Sequence, residues 1–216
     1  MSVLVFANGD VEDVEWIRPY LSEATVVIAA DGGARHLLRL NHVPDIVIGD
    51  MDSLPEEARS FLSSADVQLL EHPQDKDETD LELALLHAVT RYTAEDILLF
   101  GVLGGRLDQL LANIMLLAHP ALDGHRVVLV NQYERAWLVS DGTWIEGSVG
   151  DRISLIPLGG DVRVAHTDGL RWPLQDEMLV FGPARGVSNV MTESIATIVL
   201  QSGRLLCVHT SHSWQR

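Results

Sequence analysis

Asp50 and Asp52, in Gly49-Asp50-Met51-Asp52-Ser53, are separated by a single residue. In an extended segment that spacing puts both side chains on one side, where the two carboxylates can share or bridge a cation. The same spacing also suits a solvated turn after a strand, and Asp31 in Ala30-Asp31-Gly32-Gly33 is likewise good turn chemistry. More acid follows in Gln74-Asp75-Lys76-Asp77-Glu78-Thr79-Asp80 and at Asp108 in Gly104-Gly105-Arg106-Leu107-Asp108-Gln109. Gathered in one cleft, so many like charges would raise one another's pKa unless a cation neutralised them. Oxygen-only ligands on hydrated loops suit Mg²⁺, which is commonly held by a few carboxylates plus substrate phosphate oxygens.

Other residues fit a phosphate-bearing ligand. Backbone N–H groups of Gly104-Gly105 at a helix start point at an anion, and Arg106 can grip phosphate through two donors. Lys76, the only lysine of the chain, is either half of a surface ion pair or a phosphate contact beside the metal. Thr79-Asp80-Leu81-Glu82 has the form of a capping box, so Thr79 and Glu82 are accounted for as caps, and Asp80 sits where a helix dipole favours a carboxylate. Neither a G-x-x-x-x-G-K-[ST] nor a G-x-G-x-x-G motif occurs, so any nucleotide is bound another way. The histidines form no metal-spaced helical pair, no G-x-S-x-G elbow exists, and Ser188 has no local base, which leaves nucleophilic hydrolysis without support. Trp172 is a core or turn aromatic, or a stacking platform for a flat ligand.

These motifs need a common edge to act together. Apolar runs at 3–7, 26–30, 46–48, 67–70, 97–102 and 127–130 read as six buried strands, apolar throughout rather than alternating. Between them, helices are predicted near 11–21, 34–40, 55–62, 80–92 and 107–118. Repeated strand–helix–strand units give a parallel sheet with helices on both faces, and ligands of such sheets bind outside the carboxyl ends of the strands. Strands two to five all end in the acidic or glycine-bearing motifs above, so that edge is the candidate active site. Beyond residue 131 the segments become short, β-branched and punctuated by Gly, Asp or Ser, with Gln201-Ser202-Gly203-Arg204 as a hairpin signal. We expect two domains, 1–135 and 136–216, the first α/β and the second small and antiparallel.

Composition removes several alternatives. Across 216 residues, 15 Lys and Arg stand against 31 Asp and Glu, a net charge of −16 that disfavours nucleic acid or an anionic membrane surface as partner. A single cysteine, Cys207, excludes an intramolecular disulfide framework and fits a reducing compartment. The N-terminus lacks a basic region before its apolar run and no stretch approaches the roughly 20 apolar residues of a membrane span, so a soluble cytoplasmic protein is expected.

Taken in order, Asp31-Gly32-Gly33-Ala34, then Pro44-Asp45-Ile46-Val47-Ile48-Gly49-Asp50-Met51-Asp52-Ser53, then Asp75-Lys76-Asp77-Glu78-Thr79-Asp80, then Gly104-Gly105-Arg106-Leu107-Asp108-Gln109 with Leu111-Ala112-Asn113, resemble the thiamine pyrophosphokinase family. Each piece is weak alone, and the four together in this order are specific. The resemblance continues through Gly169-Leu170-Arg171-Trp172-Pro173-Leu174 and Phe181-Gly182 to Val187-Ser188-Asn189. It implies a three-layer α/β/α catalytic domain with a mostly parallel six-stranded sheet, a C-terminal antiparallel β-sandwich, and a homodimer with thiamine sites between subunits. The implied reaction moves the diphosphoryl unit of ATP to the hydroxyethyl group of thiamine, giving thiamine diphosphate and AMP, with Mg²⁺ as cofactor. Carried over, Asp50, Asp52 and Asp80 are the metal ligands, and together with Arg106 and Asp108 they form the catalytic set. Asp31, Gly32, Lys76, Asp77, Gly104, Gly105, Arg106 and Gln109 belong to the nucleotide site, and Trp172, Ser188 and Asn189 to the thiamine site. Gly186-Val187 replaces the more polar residues often found before Ser-Asn in the family, which keeps open a pyrophosphokinase for another ring-bearing alcohol such as a pterin. A non-catalytic metal- or nucleotide-binding module and a metal-dependent phosphohydrolase are the remaining readings.

Overall fold

The computed structural model describes residues 2–212 except 53, 55, 64, 65 and 94. It divides into two compact units, Met1–Gln132 and Tyr133–Arg216, three residues ahead of the boundary expected from sequence.

In the first unit, β1 (Ser2–Phe6), β2 (Ala24–Ala30), β3 (Ile46–Gly49), β4 (Gln68–Glu71), β5 (Asp96–Phe100) and β6 (Val127–Val130) form a parallel sheet in the order β6-β5-β1-β2-β3-β4. The four β1 residues Val3 to Phe6 are fully buried, as are Ile97, Leu99 and Phe100 of β5, which is why these strands read as unbroken apolar runs. Strand β4 differs from expectation. It lies at the sheet edge and is mostly exposed, Leu69 by half, because it has a neighbour on one side only. The chain proceeds outward from β1 through β2, β3 and β4 on one side and through β5 and β6 on the other, so its winding reverses between β1 and β5. At such a reversal the loops after neighbouring strands diverge and leave a crevice.

Helices α1 (Arg18–Ser22), α2 (Ala34–Arg39), α3 (Glu56–Ser63), α4 (Asp80–Arg91) and α5 (Leu107–Leu116) connect the strands. The first is shorter than the predicted 11–21. Asp13 takes the Glu15 amide, a 3₁₀ turn spans Glu15–Ile17, and Pro19 near the start of α1 lacks the N–H a continuous helix would need. Helix α4 follows its sequence pattern: Thr79 accepts from the Glu82 amide as N-cap, and Leu81, Ala84, Leu85, Ala88 and Val89 are buried. The Glu82 side chain does not complete the capping box and instead lies 3.7 Å from His119. Helix α5 has no buried residue at all. Among the described residues, no helix is long and apolar enough to cross a membrane.

The second unit holds two antiparallel sheets. One has the order β12 (Asn189–Val190), β9 (Arg152–Pro157), β14 (Leu205–Thr210), β7 (Glu134–Val139). The other has the order β11 (Gln175–Leu179), β10 (Val162–Asp168), β13 (Ile195–Ser202), β8 (Gly142–Glu146). Burial alternates along them, with Ile153, Leu155 and Pro157 inward on β9 and Ala196, Ile198 and Leu200 inward on β13, the period-two signature of half-buried strands. The hairpin expected at residues 201–204 is instead a crossing between sheets: the turn, with Gly203 at φ 88°, joins β13 to β14, and these pair with different strands, β13 with β10 and β8 and β14 with β7 and β9. Cys207 lies within β14 between Trp137 of β7 and Leu155 of β9 and is fully buried, which pushes its thiol pKa up.

Candidate active site

Within the first unit, the carboxyl edge of the sheet gathers the acidic motifs. Asp31 follows β2 directly at φ 42° and is buried, and Asp50 follows β3. Met51 at φ 63° turns the chain so that Asp52 comes back toward Asp50, whose Oδ1 accepts the Asp52 amide at 3.1 Å. One carboxylate oxygen each from Asp31, Asp50 and Asp52 lies within 4.8 Å of the other two. The Asp52 amide, with Lys76 contributing, holds the Asp50 carboxyl below its ordinary pKa. Gln74 donates to Asp52 Oδ2 at 2.6 Å and so fixes the most exposed of the three.

Three hard oxygen donors at these separations fit Mg²⁺. Its ligand distances of about 2.1 Å put donor atoms on one ion up to about 4.2 Å apart, comparable with the 4.8 Å within which these three lie. Asp80, expected in the metal set, has a different partner in the structure. Its Oδ1 lies 3.0 Å from the Lys76 ammonium, which is also 3.8 Å from Asp50 Oδ2. Lys76 is only 12% exposed, so it is no surface ion pair, and although burial works against its charge, Asp80, Asp50 and Asp31 together raise its pKa. Gly49 permits this crowding, since a Cβ there would press on both Asp31 and Asp80.

Beside the acidic cluster lies a cavity of about 520 Å³. Asp31, Lys76, Gly104, Gly105, Arg106 and Gln109, six residues expected at a nucleotide site, line it, together with Asp80, expected as a metal ligand. The other expected residues lie elsewhere. Gly32 is buried against the Asn8 amide, Asp77 is exposed outside the lining, and Asp108 forms a two-point pair with Arg106 at 3.1 and 2.6 Å. That pair keeps the Asp108 carboxyl below its ordinary pKa and fixes the guanidinium at the start of α5. The lining also includes Asn8, Gly9 and Asn113, which the sequence reading did not assign. Asn8-Gly9 follows β1 at the same edge, so the rule applied to the other strand ends would have found it.

The second unit has its own cavity, of about 620 Å³, and Trp172, Ser188 and Asn189 all line it. Asn189 is a bracket: its Nδ2 donates to the Trp172 carbonyl at 2.7 Å, and its Oδ1 accepts the Trp172 and Val190 amides. Trp172 is thereby held 55% exposed, with the Arg171 guanidinium 5.0 Å from its ring centre. Ser188 sits at φ 63° with its amide donating to Ser154 Oγ.

Two family models divide the chain as the structure does. One, described as thiamin pyrophosphokinase, catalytic domain, matches residues 17–129, and the other, thiamin pyrophosphokinase, vitamin B1 binding domain, matches residues 145–205. The chain belongs to the thiamin pyrophosphokinase family. A thiamine pyrophosphokinase of Bacillus subtilis is 28% identical over 212 residues, covering 97% of this chain and 99% of its own. A rice thiamine pyrophosphokinase is 29% identical, covering 82% of this chain and 75% of its own. Among solved structures, a thiamin pyrophosphokinase from Geobacillus thermodenitrificans superposes with a TM-score of 0.85 at 28% identity, covering 98% of both chains. Membership of the thiamin pyrophosphokinase family carries a thiamine-directed kinase function and does not favour a pterin acceptor.

Proposed function

We propose that this protein transfers the β,γ-diphosphoryl unit of ATP to the hydroxyethyl oxygen of thiamine, releasing AMP. The observation that carries this reading is the acidic triple of Asp31, Asp50 and Asp52 beside the cavity lined by Gly104, Gly105 and Arg106. When bound, Mg²⁺ neutralises the phosphates and polarises the P–O bonds. Asp31, Asp50 and Asp52 would hold it, with Asp80 close by. Glycine N–H groups and Arg106 bind the phosphate oxygens, and the Asp108 pair pre-orients the guanidinium so that little freedom is lost on binding. Lys76 neutralises the acidic wall and keeps its carboxylates from repelling an incoming polyanion. In the chemical step the thiamine oxygen forms a bond to the β-phosphorus while the bond from that phosphorus to the AMP oxygen breaks in line, AMP leaves with the bonding electrons, and the hydroxyl proton passes to solvent.

For thiamine, the exposed indole of Trp172 offers a stacking face, and the net charge of −16 favours a cationic substrate. We further infer a homodimer in which the nucleotide site of one subunit works with the Trp172 cavity of its partner. The exposed Leu107, Leu111 and Met115 of α5, four residues apart along one face, support such an association. A cytoplasmic location suits the reduced, buried Cys207.

Purified protein with MgATP and thiamine should form thiamine diphosphate and AMP in equal amounts, and neither with EDTA. Stoichiometric ADP would overturn the reading, because it marks attack at the γ-phosphorus.

A further inference from the structure

The loop that leaves β1 is shaped from outside. Between Phe6 and the 3₁₀ turn at Glu15 the chain forms no strand or helix of its own, and four of its carbonyls are taken by side chains of the single short helix α2. Arg35 Nη2 donates to the carbonyls of Asn8 at 2.9 Å and Gly9 at 3.0 Å and lies 3.3 Å from the Asp10 carboxylate. His36 Nε2 lies 2.9 Å from the Gly9 carbonyl. Arg39 continues the series, donating to Val11 at 2.6 Å and to Glu12. A carbonyl can only accept, so the His36 proton sits on Nε2. The ring is buried, which depresses its pKa to about 4 and keeps it neutral.

On its other side, the loop meets the glycine turn after β5. The Gly9 amide donates to the Gly101 carbonyl at 2.8 Å, a Cβ on Gly9 would collide with that carbonyl, and a Cβ on Gly104 would collide with the Asp10 backbone. Thus the strand ends flanking the winding reversal are pressed together by α2, and both contribute to the cavity, through Ala7, Asn8 and Gly9 from one and Gly104, Gly105 and Arg106 from the other. None of Arg35, His36 and Arg39 lines the cavity.

We propose that Arg35, His36 and Arg39 are positioning residues for the nucleotide: by fixing the loop of residues 8–12 against the glycine turn of 101–105, they set the shape of the phosphate-binding wall without touching the ligand. The proposal rests on the reading of this cavity as the nucleotide site. Its chemistry follows from the donors used. Two guanidinium groups and a neutral imidazole occupy the loop carbonyls, so lone pairs that would repel a triphosphate are directed at α2 rather than left to swing toward the ligand.

The test is direct binding of α,β-methylene-ATP with Mg²⁺, measured by calorimetry on the full-length protein, alongside steady-state kinetics and thermal melting. Arg35→Met/Arg39→Met should bind the analogue at least about tenfold more weakly and raise KM for ATP in parallel, with kcat and KM for thiamine changed by less than about threefold. His36→Gln, whose amide N–H replaces the Nε2 donor, should retain binding within about twofold, whereas His36→Leu should not. Arg39 is exposed, so Arg39→Met alone serves if the double variant does not fold, with a loss of about threefold expected. A folded variant with wild-type nucleotide affinity, or one that loses kcat and both KM values together, overturns the proposal. If the wild type itself binds no nucleotide, the reading of the cavity falls and the proposal with it; wild-type binding with unaffected variants removes the proposal alone.

Discussion

Asp52 is the most exposed member of the acidic triple, and its partners are Gln74 and the Asp50 side chain, through its own amide. Replacing it with Asn keeps the shape and removes one charge from the metal site. Thiamine diphosphate formation by Asp52→Asn should therefore drop by at least about 100-fold while its melting temperature without Mg²⁺ is unchanged or higher, since one repulsion is relieved. A turnover assay at modest Mg²⁺ with a parallel melt checks both. His36 sets a pH limit of a different kind. Its pKa is about 4 in the fold against 6.5 for a free imidazole. Above 6.5 the ring is neutral in both states, whereas between 6.5 and 4 the unfolded chain binds a proton that the folded chain does not, so stability declines as pH falls through that window. The full loss amounts to roughly 3 kcal/mol. Urea titrations from pH 7 to pH 4 should show His36→Gln losing less than the wild type. At this scale the sequence disclosed residue types better than their partners. Asp50 and Asp52 were legible because their spacing lies within one segment. The pairing of Lys76 with Asp80 was not, since the same two side chains at four residues apart could as well have faced solvent.

Among the elements, α4 and α5 have similar apolar patterns and opposite fates. In α4 the stripe of Leu81, Ala84, Leu85 and Ala88 meets β1, β2 and β3. In α5 the residues Leu107, Leu111 and Met115 are 69%, 46% and 62% exposed. Periodicity reports only that a helix has an apolar face, and an intramolecular core and an association surface produce the same pattern. Three large apolar side chains on one face are worth covering, at about 25 cal/mol per Å². Leu111→Lys/Met115→Lys should therefore shift the protein to monomer in sedimentation velocity while its circular dichroism is preserved, and lower its activity if the site is shared. A wild type that is already monomeric at micromolar concentration would remove α5 as an association surface. Elsewhere, the break before α1 is not legible in the pattern of residues 11–21, because a proline suits the first turn of a helix and periodicity does not say where that turn lies; nor is the exposure of edge strand β4, because an apolar run does not say how many neighbours a strand has.

For the whole molecule, the two-unit layout was readable from a change of period near residue 131, from buried parallel runs to short alternating strands. The proposed assignment of a substrate to each unit rests instead on motif order, because cavity shape is a property of packed loops. The shared-site reading makes a strong demand on mixtures. Asp52→Asn and Asn189→Ala, each inactive alone, should recover at most about a quarter of wild-type activity after random subunit exchange, because one site in each heterodimer then carries neither defect. No recovery after verified exchange would reject a site built from two subunits and leave the acidic triple untouched. Finally, the second unit contains its own clock. Cys207 is the only thiol in the chain, and it sits sealed between two strands with its ionisation suppressed. Alkylating reagents can reach a fully buried thiol only when the structure around it opens, so the rate of single-site labelling measures opening around β14. Followed by mass spectrometry with and without thiamine, that rate would show whether the ligand braces the β unit, with no engineered probe and no catalytic turnover.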